Sequence, residues 1–258
     1  KAIAKQLHTE HMELYLSAMQ AMEVVPRLPE IYDEPFADSS QIPTHLVCRA
    51  AREHVTVALS GDAGDELFGG YNRYFLGPKL WSRIERIPKP YRRGLGHMIG
   101  ATPISVWDWL GSKAGGDLAI RHAGDKAQKM ARAMRNAENV DDLYRSLISS
   151  WPENALVRAA PLAPMPILED VLPDFLDADP AARMMAQDMR SYLPDDILCK
   201  VDRAAMGVSL ETRAPFLDPA VISISARLPT SMKIRDGQGK WALRQVLYRH
   251  VPRRLIER

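Results

Sequence analysis

Apolar and polar positions alternate along the front of this chain and repeat with a helical period along its rear. Glu10 to Leu16 sets Met12, Leu14 and Leu16 against Glu13 and Tyr15, the two-residue period of a strand with unlike faces. Ser17 and Gln20 have capping-box spacing, so a helix is predicted to start there and to end before Pro26. Pro29 to Ser40 (PEIYDEPFADSS) reads as a loop rich in acids and turn formers. The next helix has Pro43 in its first turn and is expected to turn Leu46, Val47 and Ala50 inward. Val55 to Leu59 is an apolar, β-branched run that predicts a buried strand. Strand, helix, strand in that order implies a parallel α/β layer.

Beyond Tyr74 the pattern predicts helices and no further strand. Trp81 to Ile87, Lys126 to Met134, Val140 to Ser149, Ala181 to Leu193 and Asp196 to Val208 have helical spacing. Asp218-Pro219 reads as an N-cap with a first-turn proline, opening a helix that closes near Leu228-Pro229. Gly239 to His250 carries Leu243, Val246 and Leu247 at core spacing. Pro88 to Gly124, with its glycines and prolines, reads as a mobile cover. The pattern starts in mid-helix at Lys1, without an initiator Met or a signal sequence, and stops on the uncapped VPRRLIER. Both ends read as cut, so the chain is expected to be an internal piece of a longer protein.

Composition narrows the class without naming it. The 258 residues, 46% hydrophobic and 26% charged, suffice for a real core. A formal charge of +2 gives no argument for nucleic acid or a membrane surface, and no run approaches the roughly 20 apolar residues of a span. Two cysteines, Cys48 and Cys199, are too few for a disulfide framework and point to a reducing compartment, the cytoplasm.

Candidate chemistry concentrates in Val55 to Tyr74, VTVALSGDAGDELFGGYNRY. An apolar strand ending in a polar, glycine-rich loop is where open α/β sheets place ligands. Asp62, Asp65 and Glu66 crowd three carboxylates together, which favours a cation, a basic substrate or solvent opposite them. A solvated turn and helix N-terminus accounts for the same residues, with Glu66 supporting the helix start. A Ca²⁺ loop does not, because the alternating acid series and its distal Glu are absent. Lys200, Asp202 and Arg203 read either as ligand-facing charge or as an ion-pair cluster on one helix. For Arg203 and Arg213 the structural reading is preferred, Arg213 ordering the turn around Pro215. Asp218 reads as a cap rather than a base. The seven histidines have no metal-ligand spacing, and Cys199 lacks a His neighbour that would mark a nucleophile.

Three blocks carry a family resemblance. Ser60 to Tyr71 (SGDAGDELFGGY) resembles the second nucleotide-site motif of the asparagine synthetase family of glutamine-dependent amidotransferases. Leu193 to Asp218 (LPDDILCKVDRAAMGVSLETRAPFLD) is similar to another signature of that family, and Tyr32 to Thr44 (YDEPFADSSQIPT) to the loop and helix before the first. Only about Lys79 to Met189 lacks a named signature.

The resemblance implies a Rossmann-like adenine nucleotide α-hydrolase layer of the ATP-pyrophosphatase type, incomplete at its N-terminal side, with a mostly helical second half. The whole of 1–258 then forms part of one synthetase domain. It implies ATP and Mg²⁺ as cofactors, and attack of the L-aspartate carboxylate on the α-phosphorus of ATP. The resulting acyl-AMP is opened by ammonia from a glutaminase domain of the same parent chain. Ser60 and Gly61 are implied to hold the nucleotide, Asp65 to bind Mg²⁺, and Asp62 and Lys200 to act in catalysis. Asp62 stands where a glutamate is typical, one methylene shorter. The family's Ser-Gly-Gly-x-Asp-Ser phosphate loop and its glutaminase domain are expected upstream, and a Pro-Lys-x-Gly-Phe stretch with a catalytic lysine downstream. The chain alone is therefore expected to be inactive and, with an exposed sheet edge, to self-associate; a homodimer stands as the candidate assembly. Two other readings stay open: the same adenylation applied to another carboxylate, including β-lactam closure, and a non-catalytic nucleotide-binding scaffold.

Overall fold

The computed structural model describes residues 1–113, 122–148 and 179–257. The chain divides into two compact units, Lys1–Tyr71 with Met185–Arg258, and Asn72–Met184.

The first unit opens with α1 (Ala2–Leu7) and α2 (Ala18–Val24), the latter started by the expected capping box of Ser17 and Gln20. Between them, residues 10–16 form no strand. Met12 and Tyr15 are exposed, and the segment is held by Tyr15 and Lys1 bonding Glu13. The alternation there is genuine, but a strand also needs a neighbour to take its N–H and C=O groups. Among the described residues this segment has none.

Helix α3 (Leu28–Tyr32) occupies the start of the expected loop, and α4 (Gln41–Arg52) follows with Pro43 in its first turn. The inward face of α4 is rotated from the expected one. Gln41, His45, Leu46 and Cys48 are buried, while Val47 is 54% exposed.

Strand β1 (Val57–Leu59) forms where expected but is not buried, with Leu59 74% exposed and only Ala58 turned toward the core. The short helix α5 (Gly64–Phe68) completes this half of the unit.

The second unit is helical throughout its described part: α6 (Arg73–Ile84), α7 (Lys89–Ala101), α8 (Ile104–Lys113), α9 (Ala123–Asn136) and α10 (Val140–Ile148). The segment from Pro88, expected as a loose cover, thus holds two helices, because Pro90 sits in the first turn of α7 where it costs no hydrogen bond. Its continuation through residues 114–121 lies outside the described residues, as does Ser149. Ala133, Ala137 and Leu143 form the core of this unit, with Leu80 and Trp81 packed on them.

Helix α11 (Pro180–Arg190) is followed in the first unit by a π-helical turn at Leu193–Leu198, then α12 (Cys199–Met206) and β2 (Glu211–Arg213). Strand β2 corrects the expectation that no strand follows Tyr74. It is three polar-leaning residues long, too short and too hydrophilic to show a period. It pairs in parallel with β1, Val57 opposite Glu211, Ala58 opposite Thr212 and Leu59 opposite Arg213. The parallel layer is therefore real, but its second strand comes from the rear of the chain.

Helices α13 (Pro219–Arg227), α14 (Thr230–Lys233) and α15 (Trp241–Leu247) end the chain, α13 capped by Asp218 as expected. The core of the first unit is formed by clusters of buried side chains between its helices. Tyr32, Leu46 and Ala204 join α3, α4 and α12; Ala63, Leu67 and Phe68 join α5 to Phe216, Val221 and Leu243.

Candidate functional site

The loop leaving β1 is built to keep backbone open. Ser60 N–H donates to the Arg213 carbonyl (2.8 Å), extending the ladder by one residue. A Cβ placed on Gly61 would meet nothing within 4 Å, so the space above this peptide is free. Ala63 then takes a left-handed conformation (φ 69°) while fully buried, and α5 begins. A non-glycine residue in that region costs about 1 kcal/mol, offset here by the burial of its methyl group.

Around α5 three backbone segments close on one another. Gly70 N–H bonds the Asp65 carbonyl (2.8 Å), and Lys240 N–H bonds the Phe68 carbonyl (3.0 Å). A Cβ on Gly70 would fall 1.8 Å from Asp65 Oδ1 and 2.5 Å from Lys240 Cε; one on Gly239 would fall 2.2 Å from the Gly69 carbonyl oxygen. Only glycine permits this approach. Its result is an ion pair, Lys240 Nζ to Asp65 Oδ1 at 3.0 Å, with both side chains about one-third exposed (34% and 36%). Sequence reasoning missed Lys240. The available signal was Gly239-Lys240 directly before a helix, which was read only for core spacing.

The three crowded acids do not converge. Glu66 is buried, at 1% exposure, and accepts a hydrogen bond from Tyr71 Oη (2.8 Å). Burial pushes its carboxyl above the usual range, and the nearby charges of Asp65 and Asp188 add to this. Tyr71 in turn packs edge-on against Tyr192 and is itself raised, first by burial and then by its bond to Glu66. Asp62 is half-buried, near Cys48, whose thiol is pushed up by burial and by the Asp62 charge. Among the described residues no three His, Cys, Asp or Glu side chains are grouped to hold a metal ion.

Lys200 stands elsewhere in the same unit, at 8% exposure, with Nζ 2.5 Å from Asp38 Oδ2. Burial alone would push Asp38 up, but the Lys200 ammonium and two bonds from Ser40 hold it below its ordinary value. Asp196, on the π-helical turn, is pushed up by burial and then by the Asp38 charge. Tyr32 donates to the Lys200 carbonyl (3.3 Å), and burial followed by neighbouring negative charge takes its phenol to about 12. Arg203 bonds the Tyr32 carbonyl and Glu34 (2.9 Å). Lys200 and Arg203 thus pin the acidic loop of residues 33–40 onto α12. Arg213 pairs with Glu211 at the surface (2.7 Å). The fold therefore pairs Asp65 with Lys240, leaves the Gly61 backbone open in the loop before α5, and pairs Lys200 with Asp38.

The asparagine synthase family model matches residues 1–258, the whole chain. A Mycobacterium tuberculosis protein named "Putative asparagine synthetase (glutamine-hydrolyzing)" is 33% identical over 258 residues, covering 100% of this chain and 37% of the relative. Asparagine synthetase (glutamine-hydrolyzing) 1 of Bacillus subtilis is 29% identical over 259 residues, covering 100% of this chain and 38% of the relative. The chain thus spans a little over one-third of the length of these curated relatives. No solved structure matches it significantly. With the family model covering every residue, from the β1 loop to the basic end, the chain belongs to the asparagine synthase family.

Proposed function

We propose that this chain carries the nucleotide site of an ATP-dependent synthetase that amidates L-aspartate through an acyl-AMP. The parent's ammonia would derive from glutamine, as the relatives' names suggest. The observation that carries the reading is the Lys240–Asp65 ion pair, in the segment that follows a parallel strand through a loop with open backbone at Gly61. Such crevices, outside the carboxyl ends of parallel strands, are where α/β layers bind nucleotides. A Rossmann-like layer of the ATP-pyrophosphatase kind is the fold this supports.

In the reaction, the aspartate β-carboxylate oxygen bonds to the α-phosphorus and the bond to the β-phosphate breaks, giving aspartyl-AMP and pyrophosphate. Ammonia then attacks the acyl carbon, a proton is lost, and AMP leaves with the bonding electron pair. Charge on the α-phosphoryl oxygens rises in the first step, so a fixed cation beside it lowers the barrier. Lys240 is that cation, held ready by Asp65. Ser60 and Gly61 offer backbone to the AMP portion with no side chain in the way.

Asp65, a partly exposed carboxylate, would be the residue that holds Mg²⁺, a hard cation that takes oxygen ligands. When bound, the ion would supply positive charge that offsets the phosphate charge. Lys200, with Asp38 as its partner, positions the acidic loop in this reading rather than touching phosphate.

The short side chain of Asp62 favours a second reading, the same adenylation on a carboxylate other than aspartate. Incubating the parent protein with Mg-ATP, ammonia and L-aspartate separates the two. AMP and asparagine formed together support aspartate. AMP formed only with another carboxylate supports the second reading, and no carboxylate-dependent AMP overturns both. Lys240→Gln should lower AMP formation at least about 100-fold, mostly through kcat.

A further inference from the structure

The second unit holds an open cavity of about 660 Å³ lined by Arg93, His97, Arg135 and Asn136. The sequence of α7 makes it. Gly96 and Gly100 lie one turn apart, and their missing side chains let α9 approach closely. A Cβ on Gly96 would fall 2.9 Å from the Ala131 carbonyl oxygen and 2.7 Å from Arg135 Cγ; one on Gly100 would fall 3.1 Å from Arg135 Nη1. The Arg135 side chain therefore lies along α7 in the room the glycines leave. Arg93 and His97, also one turn apart, bring a second guanidinium and an imidazole to the same cavity.

Charge in this cavity is not balanced from within. Glu138 is shared by Lys89 (3.2 Å) and Arg93 (3.8 Å). Arg135 has no ion-pair partner among the described residues. A half-buried guanidinium with no carboxylate opposite it is free to donate charge-assisted hydrogen bonds to an anion from solution.

We propose that this cavity of the second unit binds a phosphate group. A carboxylate needs one guanidinium fork. Two forks from different helices, with an imidazole and an amide lining the same cavity, match an anion whose oxygens point several ways. The phosphate belongs to a soluble phosphoester or to a lipid headgroup. Tyr91, Leu95 and Met98, exposed along the same helix, make the lipid source worth a separate arm.

The test titrates the whole chain with inorganic phosphate by calorimetry, and maps amide exchange over residues 89–101 and 132–136. Phosphate should protect those segments. Arg135→Gln should weaken binding there at least about tenfold, and Arg135→Lys, which keeps the charge without the fork, by less. Lys240→Gln should leave it unchanged. If Arg135→Gln fails to fold by circular dichroism, the exposed Arg93→Gln reads the same loss. In the second arm, vesicles of phosphatidylcholine with phosphatidic acid are floated with the chain. Arg135-dependent flotation identifies a lipid phosphate; phosphate protection without flotation identifies a soluble phosphoester. Absence of phosphate protection together with absence of flotation overturns the proposal. So does wild-type affinity in a folded Arg135→Gln.

Discussion

At Lys200 the charge has a carboxylate partner inside the protein. Its ammonium and the Asp38 carboxylate are 2.5 Å apart and mostly buried, with Asp196 pressed close enough to be raised by Asp38. Breaking a buried pair from one side leaves the other charge stranded, at about 3 kcal/mol. Lys200→Met is therefore expected to lower unfolding stability by roughly that amount in urea denaturation. Adding Asp38→Asn should recover part of the loss, because the stranded carboxylate is then gone. A purely ligand-facing lysine would behave otherwise, leaving stability intact while binding fell. Sequence reasoning weighed both roles for Lys200. It had no means of choosing, since Asp38 is 162 residues away. A similarly long separation hid Lys240 from Asp65: their meeting depends on Gly70 and Gly239 allowing two loops to touch, a fact of backbone approach rather than of pattern.

Elements with a local cause were the legible ones. The capping box at Ser17, Pro43 in the first turn of α4, and Asp218 before Pro219 each act within one turn of chain, and each appears as read. Asp218 Oδ1 accepts from Ala220 N–H at 2.8 Å. Asp218→Ala is accordingly expected to cost about 1 kcal/mol of stability and to leave phosphate and nucleotide binding unchanged, as read by denaturation and calorimetry. A loss of catalysis in the parent without a loss of stability would contradict the cap. Elements whose cause is distant were misread. Residues 10–16 alternate but lack a partner strand among the described residues, while β2, with no pattern of its own, exists because β1 lies beside it. The π-helical turn at Leu193–Leu198 was likewise invisible. It contains Pro194, whose missing N–H removes one ordinary helical bond, and it carries Asp196 to the Asp38–Lys200 pair.

Across the whole molecule, two properties follow from where charge and apolar surface come to rest. The first is pH dependence. Glu66 has a carboxyl raised above its ordinary 4.5, chiefly by burial. The folded state then holds a proton that the unfolded state has lost, so its contribution is full below 4.5 and fades as pH rises through the raised value. Asp38, lowered below its ordinary 3.8, works the other way: its contribution is full above that value and fades as pH falls. Glu66→Gln should therefore become more stable relative to wild type as pH is raised from 4.5 toward neutrality, in urea midpoints taken across that range. A constant difference would mean that Glu66 binds its proton equally in the folded and unfolded states.

The second property is association. Strands β1 and β2 pair only with each other among the described residues, so both outer edges offer free N–H and C=O groups. Val57 and Leu59 project from β1 at 39% and 74% exposure. Unpaired edges flanked by apolar side chains recruit further strands, and a lysine on such an edge suppresses this because pairing would bury its charge. The chain is expected to show a weight-average sedimentation coefficient that climbs with concentration, and Leu59→Lys to hold it at the monomer value. A wild-type chain that stays monomeric throughout the series would show that the two edges are too short to recruit a strand.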